Sequence, residues 1–301
     1  MHILVRNLKW LLCRGIPIAA LLLLAYGLFP SAVSAADRPF IVFDGLLYAG
    51  KPDLRASGLV RLAGSGEIWR AGTSHDSVDG TAIATLLEPY RDSEGYFYFD
   101  IENWPLVESS PQVEVSPEVR QQNIEKLRRV IDVARHSAPR MHFGFYGLMP
   151  GITYWSLVNH ESPTWHDAIQ ARYYRTWHEV NQQLDSLAPH VDVVFPSLYT
   201  FYDDPKGWES YARQTLLEAR RYGKPIYPFL WPEYHNSNAA LRDHEIPPDV
   251  WRAELELCAK LADGVVLWGG YQKRWNENAP WWRETQAFIQ EHKSPAGLPS
   301  Q

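Results

Sequence analysis

The chain has 301 residues, 46% of them apolar, with 29 basic against 35 acidic side chains and a formal charge of −6. That length suits one large domain with its own core, and excludes a small module that must lean on disulfides. The acidic balance speaks against nucleic acid as a partner, since a surface of that sign repels phosphate backbones and anionic membranes.

The amino terminus carries Arg6, Lys9 and Arg14, then an apolar run from Ile16 to Phe29, then small residues from Ser31 to Ala36. This order predicts a signal peptide over residues 1–36, and so a secreted or periplasmic protein. The apolar run is shorter than the ~20 residues of a spanning helix, so no stable membrane insertion is expected after cleavage; an uncleaved anchor is the alternative. Loss of those three positive charges takes the formal charge from −6 to −9. It also leaves Cys258 as the only cysteine, so no internal disulfide can form. Cys258 falls in an apolar helical pattern and reads as core.

From Pro39 onward strand and helix signals alternate. Ile41 to Phe43 and Ile68 to Trp69 are predicted strands, followed by a short helix from Thr81 to Leu87. Tyr96 to Phe99 is an aromatic, β-prone run that leads into Asp100-Ile101-Glu102 and stops before Pro105. A helix from about Pro117 to Arg135 opens with Ser116 at the cap and shows an apolar stripe of Ile124, Leu127, Ile131 and Ala134. Strands follow at His142 to Tyr146, Val191 to Tyr199, Ile226 to Leu230 and Gly264 to Trp268. Between them helices are predicted near 165–187 and 248–261, with one more between Tyr199 and Ile226. A last helix spans about Pro280 to His292, and residues 294–301 read as a disordered tail. Regular alternation predicts an α/β fold with a parallel sheet, and about seven repeats predict closure into a TIM-type barrel, a distorted (β/α)7, over residues 37–293. A doubly wound open sheet is the alternative, although Asp44-Gly45-Leu46 offers no phosphate-binding glycine loop.

Connections from helix to strand are brief, whereas those from strand to helix are long and aromatic. In barrels the loops after the strands build the active site, so function is expected on that face. Asp100 and Glu102 stand there. Side chains two apart on a strand share one face with Cα atoms about 7 Å apart, and two such carboxyls resist ionising together. One can then hold a proton as general acid while the other is an anion. Tyr146, Tyr199 and Trp268 end other strands and can wall a sugar-sized pocket with flat faces and hydroxyls. Trp104, Trp155, Trp165, Trp231, Trp275, Trp281 and Trp282 lie in or beside the long loops. No His-x-x-x-His, cysteine set or Gly-x-Ser-x-Gly elbow is present, so no metal and no cofactor are expected.

Four segments together resemble the hyaluronidases, glycoside hydrolase family 56: Asp100-Ile101-Glu102 with Trp104-Pro105, Gly144-Phe145-Tyr146-Gly147, Pro196-Ser197-Leu198-Tyr199, and Gly264 to Gly269. The resemblance covers about Tyr96 to Gly270 and implies a seven-stranded barrel. It implies Glu102 as the acid that protonates the glycosidic oxygen, and Asp100 as the holder of the substrate's acetamido group, whose carbonyl oxygen is the nucleophile. Tyr146 and Tyr199 would place that group, and Trp268, with Trp104, would contact the sugar. Ile101 stands where the family has an aromatic, Pro105 follows Trp104 where an arginine is usual, and the family's disulfides are absent. Basic residues in the long loops are few, chiefly Lys206, Arg242, Lys273 and Arg274. The expected partner is therefore an N-acetylhexosamine glycan less anionic than hyaluronan. A barrel that binds glycan without cutting it is the competing expectation.

Overall fold

The structure, a computed structural model, describes residues 39–106, 115–158 and 168–292. The predicted signal peptide, the predicted tail from 294 and Trp165 lie outside the described residues. The strands are β1 (Ile41–Leu46), β2 (Val60–Arg61), β3 (Ala63–Ser65), β4 (Gly95–Phe99), β5 (Met141–Phe145), β6 (Phe229–Leu230) and β7 (Gly264–Gly269). The helices are α1 (Gly80–Leu87), α2 (Pro117–Ser137), α3 (Ala168–Gln183), α4 (Pro205–Arg220), α5 (Pro248–Leu261) and α6 (Pro280–His292).

Every strand pairing is parallel, in the orders β2-β1-β7-β6 and β3-β4-β5. Two segments join these sheets into a ring. β2 and β3 are halves of one stretch separated by Leu62, the first paired with β1 and the second with β4. On the other side residues 193–198 form bridges to Tyr146 at the end of β5, to Ile226 just before β6 and to Phe229 within it. The result is an α/β barrel of the TIM type with seven staves. Its first crossover is only a 3-10 turn, Leu54–Ser57, which makes the barrel a distorted one.

Local chemistry explains the helices. Ser116 caps α2 by accepting from the Val119 N–H at 3.3 Å, with Pro117 at the first helical position. Asp204 and Pro205 start α4 in the same way. The predicted stripe of α2 is buried, with Leu127 and Ala134 wholly so. Apolar residues form two layers. The larger lies between staves and helices, and Cys258 is buried in it. The smaller fills the barrel interior with Phe43, Val193, Phe195, Tyr227, Phe229 and Val266, against which Tyr96, Tyr98, Tyr146 and Trp268 pack.

Two expectations are corrected. The second stave is Val60–Ser65, and Ile68 and Trp69 follow it in a loop. Gly64 in this stave is a packing device: a Cβ there would overlap the Tyr98 ring. The stretch 191–199 is extended but forms isolated bridges, because Pro196 lacks an N–H and its neighbours Pro225 and Pro228 lack theirs. The carbonyls of all three still accept, from Phe229, Val194 and Val266 respectively.

Candidate active site

The period of two along β4 decides which side chains enter the barrel. Phe97, Phe99 and Ile101 are buried toward the helices, while Tyr96 and Tyr98 pack in the interior cluster. Asp100 and Glu102 continue the inward column past the strand's last residue and emerge at its carboxyl end. Together with Tyr98, Tyr146, Tyr199, Phe229, Trp231, His235, Asn236 and Trp268 they line one cleft of about 150 Å3. Five of the six predicted site residues are thus brought together. Their backbones come from just past the ends of β4, β5 and the stretch 193–198, and from β7, and Tyr98, Phe229, Trp231, His235 and Asn236 were not among the predicted residues.

Trp104 is the exception, and its expected role in sugar contact is corrected. It is 2% exposed, donates its indole N–H to the His75 carbonyl at 2.7 Å, and meets Trp69 edge to face. The ring holds the 69–75 loop against the core and is not part of the cleft. The other tryptophans of the long loops divide similarly. Trp281 and Trp282 are buried against Trp275, Trp155 is exposed, and Trp231 alone of these enters the cleft.

The walls form a continuous aromatic surface. Tyr199 lies 5.7 Å from Tyr146 and 5.6 Å from Trp268, and Trp231 meets Trp268 at 89°. Tyr146 donates its hydroxyl to Ser197 at 3.1 Å and is hydrogen bonded to Tyr199. Trp268 is hydrogen bonded to Tyr98, which ties β7 to the strand that carries the acids. Burial pushes the phenols of Tyr146 and Tyr199 up, with the Asp100 charge adding to it, so both stay neutral donors. Gly269, at φ 129°, lets Trp231 approach, since a Cβ there would meet the indole.

Asp100 is half-buried, whereas Glu102 is exposed at the mouth. Desolvation, then the nearby Glu102 charge, pushes the Asp100 carboxyl up to about 6. Its Oδ1 is buried and has no hydrogen-bond partner among the described residues. A weakly solvated carboxylate with an unused acceptor favours a donor delivered by a bound molecule. Among the described residues no lysine or arginine lines the cleft. Among the described residues no group of three or more His, Cys, Asp and Glu is placed to hold a metal ion. Also among them, no helix is long and apolar enough to cross a membrane.

The α/β barrel gathers the paired carboxyls and the aromatic walls at the carboxyl ends of its strands, the face on which barrels of this type build their active sites. The fold is similar to that of bee venom hyaluronidase. One crystal structure of that protein aligns at 14% identity and TM-score 0.55, covering 84% of this chain and 97% of that one. Another, of bee venom hyaluronidase in complex with a hyaluronic acid tetramer, aligns at 14% identity and TM-score 0.54, covering 83% and 95%. At this identity the likeness shows the fold. No protein-family model matches the chain, and no curated protein matches it.

Proposed function

We propose that the protein is an exported glycosidase that cleaves an N-acetylhexosamine glycan with retention, using the substrate's own acetamido group as nucleophile. The observation that carries this reading is the pair on one strand face, an exposed Glu102 beside a half-buried Asp100 with an unused acceptor, inside a cleft of neutral tyrosines and tryptophans. Glu102 gives its proton to the glycosidic oxygen as that bond breaks. The acetamido carbonyl oxygen attacks the anomeric carbon, forming a cyclic oxazolinium. Asp100 accepts the acetamido N–H and offsets the positive charge that grows on that nitrogen, a task suited to a poorly solvated carboxylate. Water then adds at the anomeric carbon as Glu102 takes its proton, which opens the ring and restores both groups. Two carboxyls need include no protein nucleophile when the substrate supplies one.

Charge supports a neutral polymer. A larger cavity of about 460 Å3 shares Tyr98 with the cleft and contains Lys51, Arg55 and Arg61. Lys51 is paired with Asp44 and Arg55 with Asp53, so the cavity's charges largely offset one another. Purified protein should release reducing ends from N-acetylglucosamine oligomers faster than from hyaluronan at low salt, and should be inhibited competitively by a thiazoline mimic of the cyclic intermediate. Glu102→Gln should lower turnover by about 10² to 10⁴ without loss of folding. Turnover within threefold of wild type would reject Glu102 as the acid. A covalent sugar trapped on a protein carboxylate would reject the mechanism, and binding without any hydrolysis would make this a glycan-binding barrel.

A further inference from the structure

The loop after β6 contains a histidine that the carboxylate chemistry above does not use. His235 is fixed on three sides. Its backbone N–H donates to the Thr200 carbonyl at 2.8 Å. Its ring stacks on Tyr199 at 5.9 Å and 27°, lies 4.6 Å from Phe201, and meets Trp231 edge to face. Its Nδ1 lies 3.2 Å from the Ser237 backbone N–H and 2.7 Å from the Ser237 hydroxyl. A backbone N–H can only donate, so Nδ1 must be the accepting nitrogen and the ring proton sits on Nε2. Protonating Nδ1 would set two donors against each other, and burial lowers the pKa of the ring in the same sense. Nε2 has no partner among the described residues, and the ring lines the cleft with Asp100 and Glu102.

We propose that His235 is a substrate-binding and specificity-determining residue, its Nε2–H serving as a prealigned donor to an oxygen substituent of the bound sugar. This rests on the reading of the cleft as a glycan site. The chemistry favours a donor of this kind. A neutral N–H recognises a hydroxyl or acetamido oxygen, whereas a cationic group in the same place would pair with Asp100 and use up the acceptor that the cleft leaves open. The aromatic packing removes the rotamer entropy that a flexible donor would lose on binding.

The test compares wild type, His235→Phe and His235→Gln on an N-acetylglucosamine tetramer, by calorimetric binding and by kinetics. Phenylalanine keeps the stacked ring and removes the donor; glutamine gives up the ring but returns an N–H at similar reach. With melting temperatures confirming folding, His235→Phe should weaken binding about 5- to 20-fold and raise KM alike, with kcat within about threefold. His235→Gln should recover most of that loss. Nitrogen NMR of the wild type should show an unprotonated Nδ1 and a protonated Nε2. Wild-type affinity in His235→Phe, no recovery in His235→Gln, a fall in kcat at unchanged KM, or the opposite tautomer would each overturn the assignment. If the wild type neither binds nor cleaves any N-acetylhexosamine oligomer, the glycosidase reading fails and this one with it; if it does and His235→Phe is unchanged, this one alone fails.

Discussion

Replacing Asp100 by asparagine should make the protein more stable while disabling it. The folded protein holds the Asp100 proton up to about pH 6, against an ordinary value of 3.8. A raised carboxyl pKa means that ionisation costs the folded state more than the unfolded one. The penalty is absent below about pH 4, grows between about 4 and 6, and is complete above 6. Roughly two pKa units correspond to about 3 kcal/mol. Because the carboxyl is only half-buried, solvent screens part of this, and about 1–2 kcal/mol is the expected penalty. Asparagine has nearly the same shape and no charge to desolvate. Asp100→Asn should therefore melt about 2–8 °C higher than wild type at pH 7.5, and at about the same temperature near pH 4. Turnover in the same samples should fall by at least about tenfold, because the carboxylate proposed to steady the acetamido nitrogen is gone. A variant that melts lower at pH 7.5, or that gains equally at both pH values, would refute the account of Asp100 as a desolvated anion.

Trp104→Ala should act on stability and leave the chemistry alone: loss of this buried ring costs about 3–5 kcal/mol, read by chemical denaturation, while KM of the folded fraction stays within threefold of wild type. A KM that rises tenfold at unchanged stability would restore Trp104 to the sugar. Mass spectrometry of the exported protein should find a new amino terminus near Ala36 or Asp37, and recovery of intact Met1 in a soluble cytoplasmic form would reject the signal peptide.

Much of the fold was legible because helices announce themselves locally. Ser116 and Pro117 fix the start of α2 and its apolar stripe fixes the buried face, each within a few residues. Strands were legible where β-branched or aromatic residues run unbroken, as in β4 and β7. The second stave was not. Its Gly64-Ser65-Gly66 looks like a turn in isolation, and its extended conformation makes sense only once the Tyr98 ring, 34 residues later, occupies the space that a Cβ would take. The tryptophans misled in the same way. Position in a long loop says where the backbone runs, and Trp104 turns inward to a carbonyl that the sequence gives no means of locating.

The carboxyl pair was legible because it is a property of one strand; the same period of two would have added Tyr98, whose ring stands below Asp100 in the inward column. Trp231 and His235 become neighbours of that column only when the sheet closes. Between β4 and β6 lie two staves, so in an open sheet the two strands would be three spacings apart, about 14 Å, with side chains standing perpendicular to the sheet. Instead the rings of Tyr98 and Phe229 are 5.0 Å apart and the hydroxyls of Tyr96 and Tyr227 are at 3.4 Å. Such contacts require the two strands to face each other across an interior, which a doubly wound sheet does not have. The aromatic filling that decides the topology also positions the site. By occupying the barrel below the carboxyl ends of the strands, it leaves space only at the mouth, where Asp100, Glu102 and the walls from four other strand ends converge.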